Sequence, residues 1–198
     1  MREFLMIVVS IALCFGFFVE LKKRGDDSLF LATWKYFSYY TILTNLLVFI
    51  WISVQVFYPH SNFALFALDH NVSAAVTFYI LTVGLANYLL YGWQVLTLPN
   101  RIYDLLVHAV TPILTFCYWF FYLSKIQLTY EYIPYWLIYP LTYAVYTTVH
   151  GNWTKFYPYD FTNIDVLGAK KVALNAFSLS VGVLLGASAF VFVSKNIG

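Results

Sequence analysis

The chain has 198 residues, 62% of them hydrophobic, 22% aromatic and 10% charged, with a formal net charge of +2 and a mean hydropathy of +0.73. A water-facing domain carries about 25% charged residues, so this chain cannot clothe a surface for water. Its small positive charge gives no reason to expect nucleic acid. The composition is that of a protein whose solvent is largely lipid.

Six apolar runs follow in chain order, over residues 3–21, 35–58, 71–93, 101–123, 130–151 and 171–194. Each offers the about 20 residues that a transmembrane helix needs. All are too long and too continuous for the strands of a barrel. The predicted fold is therefore all-α, a polytopic bundle of six transmembrane helices in one domain, residues 1–198. The first run lacks a small-residue cleavage site before Glu20, Lys22, Lys23 and Arg24, and so reads as a retained span rather than a signal peptide. Cys14 and Cys117 fall in mid-span and read as small core residues.

The connections are short, and no pair of spans shares a residue pattern, which weighs against an inverted-repeat transporter. "YPHSNFALFALDH" joins spans two and three, and "NWTKFYPYDFTNIDVLGAK", with room for a short interfacial segment, joins five and six. Of the eleven lysines and arginines, eight lie on or beside the connections after spans one, three and five. Cytoplasmic loops hold the basic excess, so those connections are expected inside and both termini outside. The expected location is the cell membrane, as a multi-pass protein.

Span two opens on "YFSYYTILTNLL", where Ser38, Thr41, Thr44 and Asn45 interrupt the apolar residues. On a regular helix they fall within an arc of roughly 120°. Other spans repeat the pattern: Thr77, Gly84, Asn87 and Tyr91 on span three; Asp104, His108, Thr111 and Thr115 on span four; Tyr139, Thr142, Tyr143, Tyr146 and His150 on span five. Such faces should point inward, because lipid offers no hydrogen-bond partner. Ser178, Gly182 and Gly186 of span six, spaced by four, read as a close-packing seam.

Depth concentrates these groups. Thr41 follows Lys35 by six residues and His108 follows Arg101 by seven, which sets both about 10 Å below the same surface. Asn87 and His150 belong to that half as well, whereas the outer half is poorer in polar groups. His108 is the one histidine well inside a span. An imidazole can take a proton from a hydroxyl that is otherwise a poor nucleophile, and Asp104, one turn earlier, can hold its tautomer. Pro112 supplies no N–H to the carbonyl of His108, which allows a local opening of the helix.

The stretches "TWKYFSYYTILTNLL", "DLLVHAVTPIL" and "HGNWTKFYPYDF" together resemble the androgen-induced-gene family, the family of androgen-dependent TFPI-regulating proteins, and more closely its short bacterial six-span relatives. The resemblance implies an intramembrane threonine hydrolase that cleaves fatty-acid esters of hydroxy fatty acids. The family histidine maps onto His108, with Pro112 after it; Asp104 stands where the family has asparagine. Counting from Trp34-Lys35-Tyr36 places Ser38 at the nucleophile position. The threonine-then-asparagine pattern before the leucines places Thr41 there instead, and Thr41 is preferred.

Two classes of function follow. The first is an intramembrane hydrolase of lipid esters: Thr41 or Ser38 as nucleophile, His108 as base, Asp104 orienting it, and Asn45 donating to an oxyanion. Thr44, Asn87, Thr111, Tyr146 and His150 complete the expected substrate environment. The alternative is a non-enzymatic membrane protein that binds a lipid or carries a small solute. The expected partner is a membrane lipid or lipid ester, with no cofactor, no metal and no nucleic acid, and the oligomeric state stays open.

Overall fold

The computed structural model describes residues 1–91, 96–125 and 127–197; the far end of the third expected span, at Trp93, and the side chain of Tyr91 lie outside them. No strand occurs among the described residues. Five helical stretches there are long and apolar enough to cross a membrane: Arg2–Lys22, Tyr40–Phe57, His70–Leu89, Leu98–Tyr122 and Ala169–Ile197. The chain divides into two compact units, Met1–Ser124 and Lys125–Gly198.

In the first unit, α1 (Arg2–Lys22) is followed by the short α2 (Leu29–Tyr36), whose N-terminus is capped by the Ser28 hydroxyl accepting from Leu31 N–H at 3.2 Å. Tyr36 Oη donates to the carbonyl of Leu13 at 2.8 Å, which docks α2 on α1. The second expected span, 35–58, is not one helix. Residues Phe37 to Tyr39 form a turn, Tyr39 is extended (φ −76°, ψ 132°), and α3 begins afresh at Tyr40–Phe57. Ser38 Oγ donates to the carbonyl of Lys35 at 2.6 Å, the side-chain-to-backbone bond by which serine competes with a continuing helix. Ser38 is therefore off the helical stripe that regular spacing assigned to it.

The connection "YPHSNFALFALDH" contains a helix of its own, α4 (Asn62–Leu68), capped by Ser61. Asp69 then caps α5 (His70–Tyr91) by accepting from Asn71 and Val72 N–H at 2.9 and 3.1 Å. The fourth span is composite. It comprises α6 (Leu98–Leu105), a π-helical turn over Leu106–Val110, and α7 (Thr111–Tyr122).

Leu5, Val9, Val48, Trp51, Ile52 and Ile80 form the centre of this unit's apolar core. Lipid is as apolar as these side chains, so close packing and polar bonds, rather than expulsion of water, hold such helices together. The bonds are present: Trp51 Nε1 donates to the Ala67 carbonyl at 2.6 Å, Tyr118 Oη to Gln55 Oε1 at 2.7 Å, and Arg2 Nε to Tyr118 Oη at 2.8 Å. Gln55, 1% exposed, gives the half of the bundle opposite Thr41 a buried polar chain that the sequence reading did not single out. Cys14 is exposed rather than a core residue, and Cys117 is half-buried.

In the second unit, the fifth expected span opens as a 3-10 helix over Tyr130–Leu137 and continues as α8 (Ile138–Thr154). Pro134 and Pro140 deprive the carbonyls of Tyr130 and Trp136 of their α-helical donors, and the tighter helix is the local answer. Only 17 residues are α-helical, which leaves this segment short of an α-helical span. Lys155, at φ 57°, ends α8. After a 3-10 turn at Asp160–Thr162 come α9 (Ile164–Leu167), capped by Asn163, and α10 (Ala169–Ile197). Asn175 Nδ2 ties the loop to α10 through the Phe161 carbonyl at 2.9 Å. Within the second unit Ser178 and Gly182 are exposed, and a Cβ on Gly182 would meet nothing within 4 Å, so the expected seam is not used in this unit's own packing.

Candidate functional site

The polar residues of three helices in the first unit meet as one hydrogen-bonded group. His108 Nδ1 lies 2.9 Å from Asp104 Oδ1 and 3.2 Å from the Asp104 carbonyl. Both neighbours are acceptors, so Nδ1 carries the proton and Nε2 presents its lone pair. Thr41 Oγ1 stands 3.3 Å from that Nε2. Asn87 of α5 donates through Nδ2 to Asp104 Oδ1 at 3.4 Å. A hydroxyl, a base and a carboxylate are thus aligned in the order that proton transfer out of the hydroxyl requires.

The side chains of His108 and Asp104 are 19% and 34% exposed, and Thr41 is half-buried at the first turn of α3. Thr44, fully buried, donates to the Tyr40 carbonyl at 2.7 Å, an ordinary bond to the previous helical turn.

Asn45 differs from its expected role. Its Nδ2 donates to the Thr41 carbonyl at 2.8 Å and to the Val107 carbonyl at 3.3 Å. Both amide hydrogens have backbone acceptors, which leaves no N–H for an oxyanion. Among the described residues its Oδ1 is buried without a partner, as is Thr111 Oγ1. Thr111 and Thr115 are fully buried, but the π turn changes the helix register ahead of them. The regular arc that joined them to Asp104 and His108 is interrupted by that turn, Leu106–Val110, and Thr115 Oγ1 donates to the Thr111 carbonyl at 2.8 Å.

Glycine sets the approach of α5. A Cβ built on Gly84 would lie 2.5 Å from the His108 carbonyl oxygen and 3.5 Å from Pro112 Cγ. The backbone of α5 therefore sits against the His108 turn at a distance only glycine permits. The sequence placed Gly84 on the polar face of this helix; what it would touch was not legible there.

Tyr146 and His150 belong to the second unit. His150 is 1% exposed, its Nδ1 lies 3.1 Å from the Phe156 carbonyl, and its ring is 5.7 Å from that of Tyr146. Tyr143, Thr147, His150 and Gly151 are the buried residues of α8, whereas Thr142, expected on this face, is exposed. The ring of Tyr157 packs directly over Gly151 where a Cβ would be. In this packing a side chain at position 151 would have to displace the Tyr157 ring. No family model, curated protein or solved structure matches this chain.

Proposed function

We propose that the protein is an intramembrane hydrolase of lipid esters, with Thr41 as nucleophile, His108 as general base and Asp104 holding the imidazole. The observation that carries this reading is the relay of Thr41 Oγ1 to His108 Nε2 at 3.3 Å and His108 Nδ1 to Asp104 Oδ1 at 2.9 Å. The first distance is long for a hydrogen bond, and catalytic bonds commonly tighten when substrate binds. The resemblance of three stretches of the chain to the androgen-induced-gene family supports the same assignment, including a fatty-acid ester as substrate.

The chemistry runs in two halves. Thr41 Oγ1 attacks the ester carbonyl carbon as its proton passes to His108 Nε2, and Asp104 stabilises the resulting imidazolium. The tetrahedral intermediate collapses, the alkoxide leaves with the proton from Nε2, and the acyl group stays on Thr41. Water then attacks the acyl carbon, giving its proton to Nε2. Collapse returns that proton to Thr41 and releases the fatty acid.

The proposed protein has six spans in the cell membrane. The continuous helical segment from Tyr130 to Thr154 supports the sixth: at rises of about 2.0 and 1.5 Å per residue it extends about 40 Å, more than the about 30 Å of a hydrocarbon core.

The test is turnover of a fatty-acid ester by the purified full chain, together with fluorophosphonate labelling mapped by mass spectrometry. Thr41→Ala and His108→Ala should each abolish hydrolysis, and the double variant should be little worse, because the two act as a unit. Labelling should fall on Thr41. A protein that only binds lipid or carries a solute gives no turnover and graded changes in ligand affinity. Full activity of Thr41→Ala would remove the hydroxyl from the mechanism.

A further inference from the structure

The helix that carries His108 changes register at its centre. Thr111 N–H bonds the carbonyl of Leu106, five residues back, and residue 112 is proline, which has no N–H. The carbonyl of Val107 thereby loses both in-helix donors. The one four residues on serves Leu106, and the one five residues on does not exist. A buried carbonyl without a donor is destabilising, more so where no water can reach it. Asn45 supplies the donor from a different helix, 3.3 Å away, while the same Nδ2 holds the Thr41 carbonyl at 2.8 Å.

One carboxamide, fully buried, thus joins the backbone of Thr41 to the backbone immediately before His108. Its orientation follows from the acceptors around it. The opposite amide rotamer would set Oδ1 against two carbonyl oxygens, so the nitrogen faces them. Oδ1 is left buried without a partner as a consequence.

We propose that Asn45 is a positioning residue: it replaces the helical partner that the π turn and Pro112 remove from Val107, and by bridging to Thr41 it sets the distance between hydroxyl and imidazole. The catalytic consequence rests on the hydrolase reading; the bridge itself is a property of helix packing and is testable without it.

Three variants of the full chain separate these parts. Asn45→Leu keeps the volume and removes both donors. Asn45→Ser keeps a hydroxyl able to bond the Thr41 carbonyl a turn back but is too short to span to Val107, and it guards against a leucine variant that fails to fold. Pro112→Ala restores a backbone N–H to the orphaned stretch. Thermal unfolding in detergent should show a clear drop in midpoint for Asn45→Leu alone, and a much smaller one in the Pro112→Ala background, since the carbonyl then has another donor. With the ester substrate, Asn45→Ser should lower kcat about tenfold or more and leave KM within about twofold, as expected when the reacting pair is misplaced while substrate is still held normally. An additive drop in midpoint across the two backgrounds, or wild-type kcat in Asn45→Ser, would overturn the proposal. If the wild type hydrolyses no ester, the hydrolase reading fails, and the unfolding cycle alone decides the bridge.

Discussion

Gly84→Ala places a methyl group against the backbone of the base-bearing turn. The new Cβ would stand 2.5 Å from the His108 carbonyl oxygen and 3.5 Å from Pro112 Cγ. A relaxed carbon–oxygen approach is about 3.3 Å or longer, so α5 and the π turn must part by about 0.8 Å. Neither side yields easily, because the obstacle is backbone rather than a side-chain tip and Pro112 stiffens it. Overpacking of this kind costs about 1–3 kcal/mol, offset by about 1 kcal/mol of helix propensity when alanine replaces glycine. The net expectation is a destabilisation of about 0–2 kcal/mol. Activity should respond far more. A shift of this size at His108, which now stands 3.3 Å from Thr41 Oγ1, is near the 1 Å misplacement that lowers rate about a hundredfold. Gly182→Ala is the matched control, since a Cβ there meets nothing within 4 Å; it should leave activity unchanged and stability equal or slightly raised. Thermal unfolding followed by tryptophan fluorescence, alongside ester hydrolysis, reads both effects. If Gly84→Ala behaves like Gly182→Ala in both assays, the close approach of α5 to His108 does not govern the site.

Other outcomes follow from the same geometry. Ser38→Ala should leave hydrolysis within a few-fold of wild type, because its hydroxyl bonds the Lys35 carbonyl in a turn before α3; abolished turnover would move the nucleophile to Ser38. Asp104→Asn should slow turnover less than Asp104→Ala, since the amide oxygen still accepts from His108 Nδ1, now at 2.9 Å from the carboxylate; equal losses would deny Asp104 an orienting role. Gly151→Ala should destabilise the second unit by about 0–2 kcal/mol, overpacking of about 1–3 kcal/mol less about 1 kcal/mol of helix propensity, as the methyl occupies the place of the Tyr157 ring; a raised unfolding midpoint would count against that packing. A reporter fused to the C-terminus should read outside, on the same side as the N-terminus, if the segment from Tyr130 to Thr154 crosses the membrane. A cytoplasmic signal would remove either that crossing or the charge-based orientation, and a second reporter at Lys125 tells which.

Hydropathy needs no tertiary information, because a lipid solvent imposes its demand on every residue of a span separately. Composition and run length alone therefore pointed to a chain whose described residues are helical, with helices long and apolar enough to cross a membrane. Spacing alone also put Asp104 and His108 on one face, and the two side chains do meet, Nδ1 to Oδ1 at 2.9 Å, although His108 already stands in the π turn. Depth counted from Lys35 and Arg101 brought Thr41 to the level of His108, and these two side chains do meet. Where the chain departs from regular helical geometry, spacing alone misplaces its side chains. The turn at Phe37 to Tyr39 took Ser38 off its stripe, the π turn separated Thr111 from the His108 face, and two prolines shortened the α-helical part of the fifth span. Each departure depends on where a carbonyl finds its donor: Ser38 supplies one to Lys35 from three residues on, the prolines withdraw theirs, and only the replacement for the Val107 carbonyl comes from another helix. Asn45 is the clearest case. Its polarity and its place on the inner face were legible along the chain, but its partners, the carbonyls of Thr41 and Val107, exist together only once α3 lies against the π turn. A backbone acceptor orphaned by packing leaves no mark on the residue that will satisfy it.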